Sequence, residues 1–295
     1  MNMKEFLGGT GPVLFDGGTG SEFVKRGLQP GAAPESLNLE NRDLVRQLHR
    51  EYIDAGSDVI ETNTFGGNRK RLEACGLGGS VFDVNRAAAD IALSEAKGKT
   101  LVAASVGPLG ALIEPYGNVS VAEALDVYAE QVRILRSSGI EFVLIETMIS
   151  LEEALIALEA AHVAGATRVG VTLTFEPTPE GPRTPFGEHP SDAWRELLKR
   201  GADITGANCG SGLGIMNEII QGIGIALPPE KILIQPNAGI PSIVEGELVY
   251  PVTPDQFADF AKGLLSKKIR FVGGCCGTTP AHIAAARTHL SQAGA

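Results

Sequence analysis

Eight short β-rich apolar runs alternate with longer helical stretches along this 295-residue chain, and that alternation restricts its fold more than any other feature. The runs are Val13 to Phe15, Asp58 to Glu61, Leu101 to Ser105, Phe142 to Glu146, Val169 to Thr174, Ile204 to Ala207, Ile232 to Gln235 and Ile269 to Val272. Helical patterns cover Asn41 to Ala55, Val81 to Lys97, Ser120 to Ser138, Leu151 to Ala164, Ser191 to Lys199, Asp255 to Leu265 and Pro280 to Leu290. Asn41, Ser120, Ser150, Thr253 and Thr279 stand where a side-chain oxygen can accept from the first free N–H groups of a helix. Pro254 and Pro280 occupy first-turn positions, and Gly56, Gly139, Gly165 and Gly201 follow helices as left-handed C-caps. Eight β-then-α units in this length predict one (β/α)8 barrel domain over residues 1–295. The weakest unit is Gly212 to Leu227, where Gly222 and Gly224 dilute the helix pattern. A doubly wound open sheet would call for a glycine-rich phosphate fingerprint with its acidic partner, and the sequence has none.

The formal net charge of −10 argues against nucleic acid or an anionic membrane surface as main partner. No apolar run approaches the roughly 18 residues of a membrane span, and the polar start Met-Asn-Met-Lys-Glu-Phe does not read as a signal peptide. Four cysteines without a signal fit a reducing cytoplasm, where clustered thiols are metal ligands or catalytic groups rather than disulfides. Cys75 lies apart from the other motifs and reads as a plain thiol.

Chemistry in such barrels gathers at the C-terminal strand ends. Here those ends carry Asp16-Gly17-Gly18, Glu61-Thr62-Asn63-Thr64-Phe65, Gly107-Pro108, Glu146-Thr147, Thr174-Phe175-Glu176, Asn208-Cys209-Gly210, Pro236-Asn237-Ala238-Gly239 and Gly273 to Gly277. Adjacent strand residues point to opposite faces, but the glycines around Cys275 and Cys276 let the backbone bend so that both sulfurs converge. Cys209 ends another strand on the same rim. Three thiolates with a fourth position left for an outside ligand match a catalytic zinc. A vicinal disulfide and three buried structural cysteines are the competing readings, and neither accounts for the shared rim. Asp16 and Glu146 can hold an ammonium group by charge-assisted hydrogen bonds, or else cap backbone N–H groups at the barrel mouth. Gly17 and Gly18 leave N–H groups open to a carboxylate. An amino-acid zwitterion beside zinc points to a thiol amino acid.

These motifs resemble the homocysteine-binding domain of zinc-dependent homocysteine S-methyltransferases, over Val13 to Leu290. Gly277 after the cysteine pair, with Gln-Pro-Asn-Ala-Gly at 235–239, is most similar to the N-terminal module of cobalamin-dependent methionine synthase. The resemblance implies that Cys209, Cys275 and Cys276 bind zinc, with the Asn237 amide oxygen as fourth ligand when substrate is absent. It makes Asp16 and Glu146 the ammonium partners and gives the carboxylate to backbone near Gly17 and Thr62. The implied activity is transfer of a methyl group to homocysteine held as a zinc thiolate, giving methionine, with no catalytic residue beyond the zinc site. His49, His162, His282 and His289 lie in helical patterns as surface or packing residues, and His189 reads as a solvated loop residue.

The donor is expected to be a methyl-corrinoid; with no Asp-x-His-x-x-Gly cobalamin-binding run here, methylcobalamin would sit on a separate protein, unless the sequence is a fragment of a larger synthase. The alternatives are a self-contained enzyme using S-methylmethionine or a betaine-like donor, and a non-catalytic module that delivers zinc-bound homocysteine. Small onium donors call for aromatic cation contacts. Only Phe65, Tyr116, Phe175 and Phe186 lie in loops able to reach the mouth, which favours the corrinoid. A Schiff-base lyase is disfavoured because no lysine falls at a strand end.

Overall fold

In the computed structural model, which describes residues 3–29, 31–222, 227–244 and 247–293, the eight expected strands form one parallel sheet. They are β1 (Val13–Leu14), β2 (Val59–Glu61), β3 (Leu101–Val106), β4 (Phe142–Met148), β5 (Arg168–Leu173), β6 (Ile204–Cys209), β7 (Ile232–Pro236) and β10 (Phe271–Val272). The order β1-β10-β7-β6-β5-β4-β3-β2 brings the two sheet edges together. A parallel bridge between Phe15 and Val59, with the Asp58 N–H donating to the Leu14 carbonyl at 2.7 Å, closes the (β/α)8 barrel. Between β7 and β10 lies an unexpected antiparallel hairpin, β8 (Ser242–Val244) and β9 (Glu247–Val249). Its alternation is too short to separate from loop in the sequence.

The pleat sorts the strand residues into two layers. Val59, Ala103, Phe142, Leu144, Ile204, Leu233 and Phe271 form a cluster inside the barrel. Ile60, Val102, Val143, Ile145, Ile234 and Val272 face outwards and join the helices in a larger cluster. Two boundaries differ instructively from expectation. β10 starts at Phe271 rather than Ile269, because Lys268 is left-handed (φ 63°) and the Ile269 N–H still bonds the Leu264 carbonyl at 3.1 Å. β4 runs on to Met148 through a break in register between Ile145 and Met148, with Thr147 at φ 60°. Such bulges re-aim side chains beside functional sites.

The helices begin and end as their signals require. Asn41, Ser120, Ser150 and Thr253 each accept the backbone N–H three residues on, and Thr253 does so within a capping box. At Thr279 the direction is reversed, with its N–H donating to the His282 ring at 3.2 Å. Gly56, Gly139, Gly165 and Gly201 all have φ between 83° and 101°. The weak unit forms a helix over Leu213–Gly222, while Gly224 lies outside the described residues. His189 is not a free loop residue: it accepts from the Ser191 N–H at 3.3 Å and caps the helix Pro190–Lys199. No helix among the described residues is long and apolar enough to cross a membrane.

Candidate metal centre and adjoining pocket

Cys209 closes β6, and the cysteine pair follows β10, so the ligand motifs reach the rim on either side of β7. Backbone bonds hold the pair's loop between its neighbours. The Gly274 N–H donates to the Asp16 carbonyl, the Cys275 N–H to Pro236 and the Ala238 N–H to Cys276, each at 2.9 Å. Cys209 itself adopts φ 65°, a conformation that costs a non-glycine residue about 1–2 kcal/mol. The three sulfurs lie within 4.8 Å of one another, and all three cysteines are partly buried. No disulfide joins them.

Their protonation is shared. Hydrogen bonds from the Cys275 and Cys276 thiols hold Cys209 down to about 3. The bond to Cys209 pushes Cys276 up to about 12, and Cys275 is raised through the same contacts with Cys209 and Cys276. One thiolate forms at the expense of its neighbours, the behaviour of a ligand set that a dication would complete. The Asn237 amide nitrogen lies 3.6 Å from the Cys209 sulfur and donates to the Gly210 carbonyl at 2.7 Å. Its Oδ1 is buried without a partner. Three mutually close sulfurs suit zinc, although it is the nitrogen of Asn237 and not its oxygen that faces Cys209.

A second polar group adjoins the thiols. Asp16, 1% exposed, accepts from the Glu61 N–H at 2.9 Å through Oδ2, while its Oδ1 has no partner. Glu146 takes the Ser105 hydroxyl and shares a hydrogen bond with Glu61, whose other contact is the Gln235 amide at 2.7 Å. Burial pushes Asp16 and Glu61 well above the usual carboxylate range and lifts Glu146 to about 7 against the Ser105 bond. Asn208 ties the two groups together. Its amide oxygen accepts from the Thr147 N–H at 2.8 Å and from the Thr172 hydroxyl at 2.7 Å. Its amide nitrogen reaches the Thr147 hydroxyl at 2.6 Å, Glu146 at 3.4 Å and the Cys275 sulfur at 3.8 Å.

A cavity of about 550 Å³ opens over the thiols, Glu61 and Glu146, within the range of small-molecule sites, while Asp16 and Asn237 are not in its lining. Gly17, Thr62, Glu146 and all three thiols line it, with Phe65, Arg71 and the exposed Cys75 also in its wall. The Thr62 N–H is already bonded to the Ala103 carbonyl at 2.9 Å, so a ligand contact from this segment falls to a neighbouring group. Of the other expected aromatic residues, Phe175 is buried against Trp194, and Tyr116 stacks edge-on to Phe186 at 5.4 Å. Tyr250 was not expected. A Cβ on Gly277 (φ 79°) would lie 2.1 Å from its Cγ, so the ring rests on the residue after the cysteine pair. Glu61 and Asn208 likewise carried no role in the sequence reading, because their inward direction follows from register.

The profile of the homocysteine S-methyltransferase family matches residues 13–290. Methionine synthase of Mycobacterium tuberculosis is 29% identical over 270 residues, covering 88% of this chain and 22% of that protein. This chain thus spans about a fifth of the methionine synthases it matches. Betaine–homocysteine S-methyltransferase 1 of Mus musculus is 29% identical over 303 residues, covering 95% of this chain and 72% of that protein. The crystal structure of the metallated homocysteine methyltransferase MmuM from Escherichia coli has the same fold, with a TM-score of 0.78 at 23% identity over 97% of this chain and 99% of that one. With the thiol triad on the barrel rim and the match running almost end to end, the chain belongs to the homocysteine S-methyltransferase family.

Proposed function

We propose that this chain binds zinc through Cys209, Cys275 and Cys276 and methylates homocysteine to methionine. The observation that carries the reading is the convergence of three thiols on a cavity that also holds buried carboxyl groups. Zinc bound there would lower the pKa of a substrate thiol from about 8.5 and keep it as a nucleophilic thiolate. The chain's own residues bind and orient. Asp16 and Glu146 would accept from the substrate ammonium, which gives the orphaned Asp16 Oδ1 a donor. Backbone around Gly17 and Thr62 would take the carboxylate, and the Asn237 oxygen would turn to the metal when substrate is absent only if the side chain released the Gly210 carbonyl.

The donor we assign is a methyl-corrinoid. What supports it is the lack of an open aromatic cage. Phe65 is the one ring among the described residues lining the cavity, and the Arg71 guanidinium already covers it. A sulfonium or quaternary ammonium donor would lack the contacts that usually hold such cations. Purified protein with zinc and homocysteine, assayed with free and protein-bound methylcobalamin, S-methylmethionine and betaine, tests the assignment. Turnover with a methyl-corrinoid is expected. Turnover with S-methylmethionine alone would transfer the role to a small donor, and substrate binding without turnover would leave a delivery module.

A further inference from the structure

Arg71 brings a positive charge to the cavity wall that the chemistry above does not use. It lies on the short helix Arg69–Ala74, with its guanidinium carbon 5.2 Å from the centre of the Phe65 ring. Two glycines of one loop fit against this stack. A Cβ on Gly107 would come within 2.6 Å of Phe65 Cδ2, and one on Gly110 within 2.7 Å of Arg71 Cγ. Ring and arginine stem are thus packed in place, not left to swing in solvent. Among the described residues the guanidinium feels the Glu35 carboxylate of the same wall, but no close ion pair joins them. That carboxylate accepts from the Gly66 N–H at 2.5 Å.

An onium group binds by resting on an aromatic face within about 6 Å of its centre. In this cavity the available face is Phe65, and Arg71 stands where such a group would rest. We propose that Arg71 is a specificity-determining residue that keeps cationic methyl donors out, by occupying the Phe65 face and by setting a like charge beside it. The inference rests on the transferase reading given above. Like charges a few ångströms apart in a partly dry cavity repel far more than in bulk water. Three thiolates around one zinc would leave a net negative charge on the same cavity, so an opposing charge in its wall is needed if onium compounds are to be refused. A corrinoid, which presents its methyl group on a large ring and not on a small cation, is not refused in this way.

The test measures binding and needs no turnover, so its failure is distinct from failure of the transferase reading. Tetramethylammonium, an inert cation without a carboxylate, is titrated by NMR into zinc-loaded protein without homocysteine. Wild type, Arg71→Met and Arg71→Lys are compared. Arg71→Met should bind about tenfold more tightly than wild type, and Arg71→Lys, which keeps the charge, no more tightly. Equal affinity in Arg71→Met and wild type, including no detectable binding in either, overturns the proposal. An equal gain in Arg71→Lys overturns it too, because a positive charge kept at this position would then not repel the probe. Zinc content and melting temperature check folding, and Arg71→Gln gives the same comparison if the methionine variant does not fold.

Discussion

The two ends of the barrel interior are made by the same strands, one or two pleats apart, and have opposite characters. Val59 gives way to Glu61, Ala103 to Ser105, Leu144 to Glu146 and Leu233 to Gln235, while β10 and its following loop pass from Phe271 to Cys275. At the lower end Phe6, from the N-terminal helix Met3–Gly8, plugs the barrel, its ring 5.0 Å from Phe142 and 5.3 Å from Phe271. Arg270 covers Phe271 at 4.6 Å and donates to the Gly11 carbonyl at 2.9 Å. At the upper end Asp16 Oδ1, Gln235 Oε1 and Asn237 Oδ1 are buried without partners. A buried polar atom left unpaired costs about 1–3 kcal/mol. The unpartnered oxygens of the barrel interior thus gather at the upper end, while the lower end is closed by apolar packing around Phe6.

That contrast can be broken most sharply at the thiols. Cys275→Ser should fall from about one zinc per chain to near none and lose methyl transfer, with its metal-free form melting where metal-free wild type melts. Full zinc in elemental analysis of the variant would remove the upper end's claimed purpose. The reverse experiment is Phe6→Ala, which should cost about 3–5 kcal/mol in denaturant unfolding while zinc content stays unchanged. If zinc is lost in the still-folded variant, the two ends are not separable.

A pH titration distinguishes the helical jacket from both. His49, buried in the helix Arg42–Asp54, is lowered by that burial from 6.5 to about 4. The unfolded chain takes up this proton first as pH falls. The contribution of His49, read as the difference between wild type and His49→Gln, should therefore drop by about 3 kcal/mol between pH 6.5 and 4, while the raised carboxyl groups act in the opposite sense. An unchanged slope in His49→Gln would assign the loss elsewhere. Asp16→Asn or Glu146→Gln should weaken homocysteine binding by about 1.5–3 kcal/mol in calorimetry and keep zinc. Normal affinity in both would make these carboxyl groups structural. The smallest effect expected is in Asn208→Ala, about tenfold weaker zinc retention in a chelator competition, since Asn208 orients ligands without being one.

Much of this architecture was legible beforehand because it is local. A capping asparagine or a glycine after a helix acts on groups within a few residues, and strand ends put Cys209 and Cys275 on one rim once the barrel is recognised. What escaped depends on distant partners. Glu61 turns inward by its register against β3, Asn208 reaches across to Thr147, and Tyr250 meets Gly277 through a hairpin with no sequence mark. Arg71 lies on a helix only six residues long, where charge usually means solvent, and only folding brings it over Phe65.

The placement of β10 also sets an order of events in synthesis. This strand inserts between β1 and β7, and the loop after it carries two of the three thiols. A ribosome must therefore translate past Cys276 before the triad can exist, and the newest strand must find its slot beside the oldest. Nascent barrels halted short of that point would hold Cys209 alone. The triad therefore forms only once the loop after β10 has come up beside the end of β6, across β7.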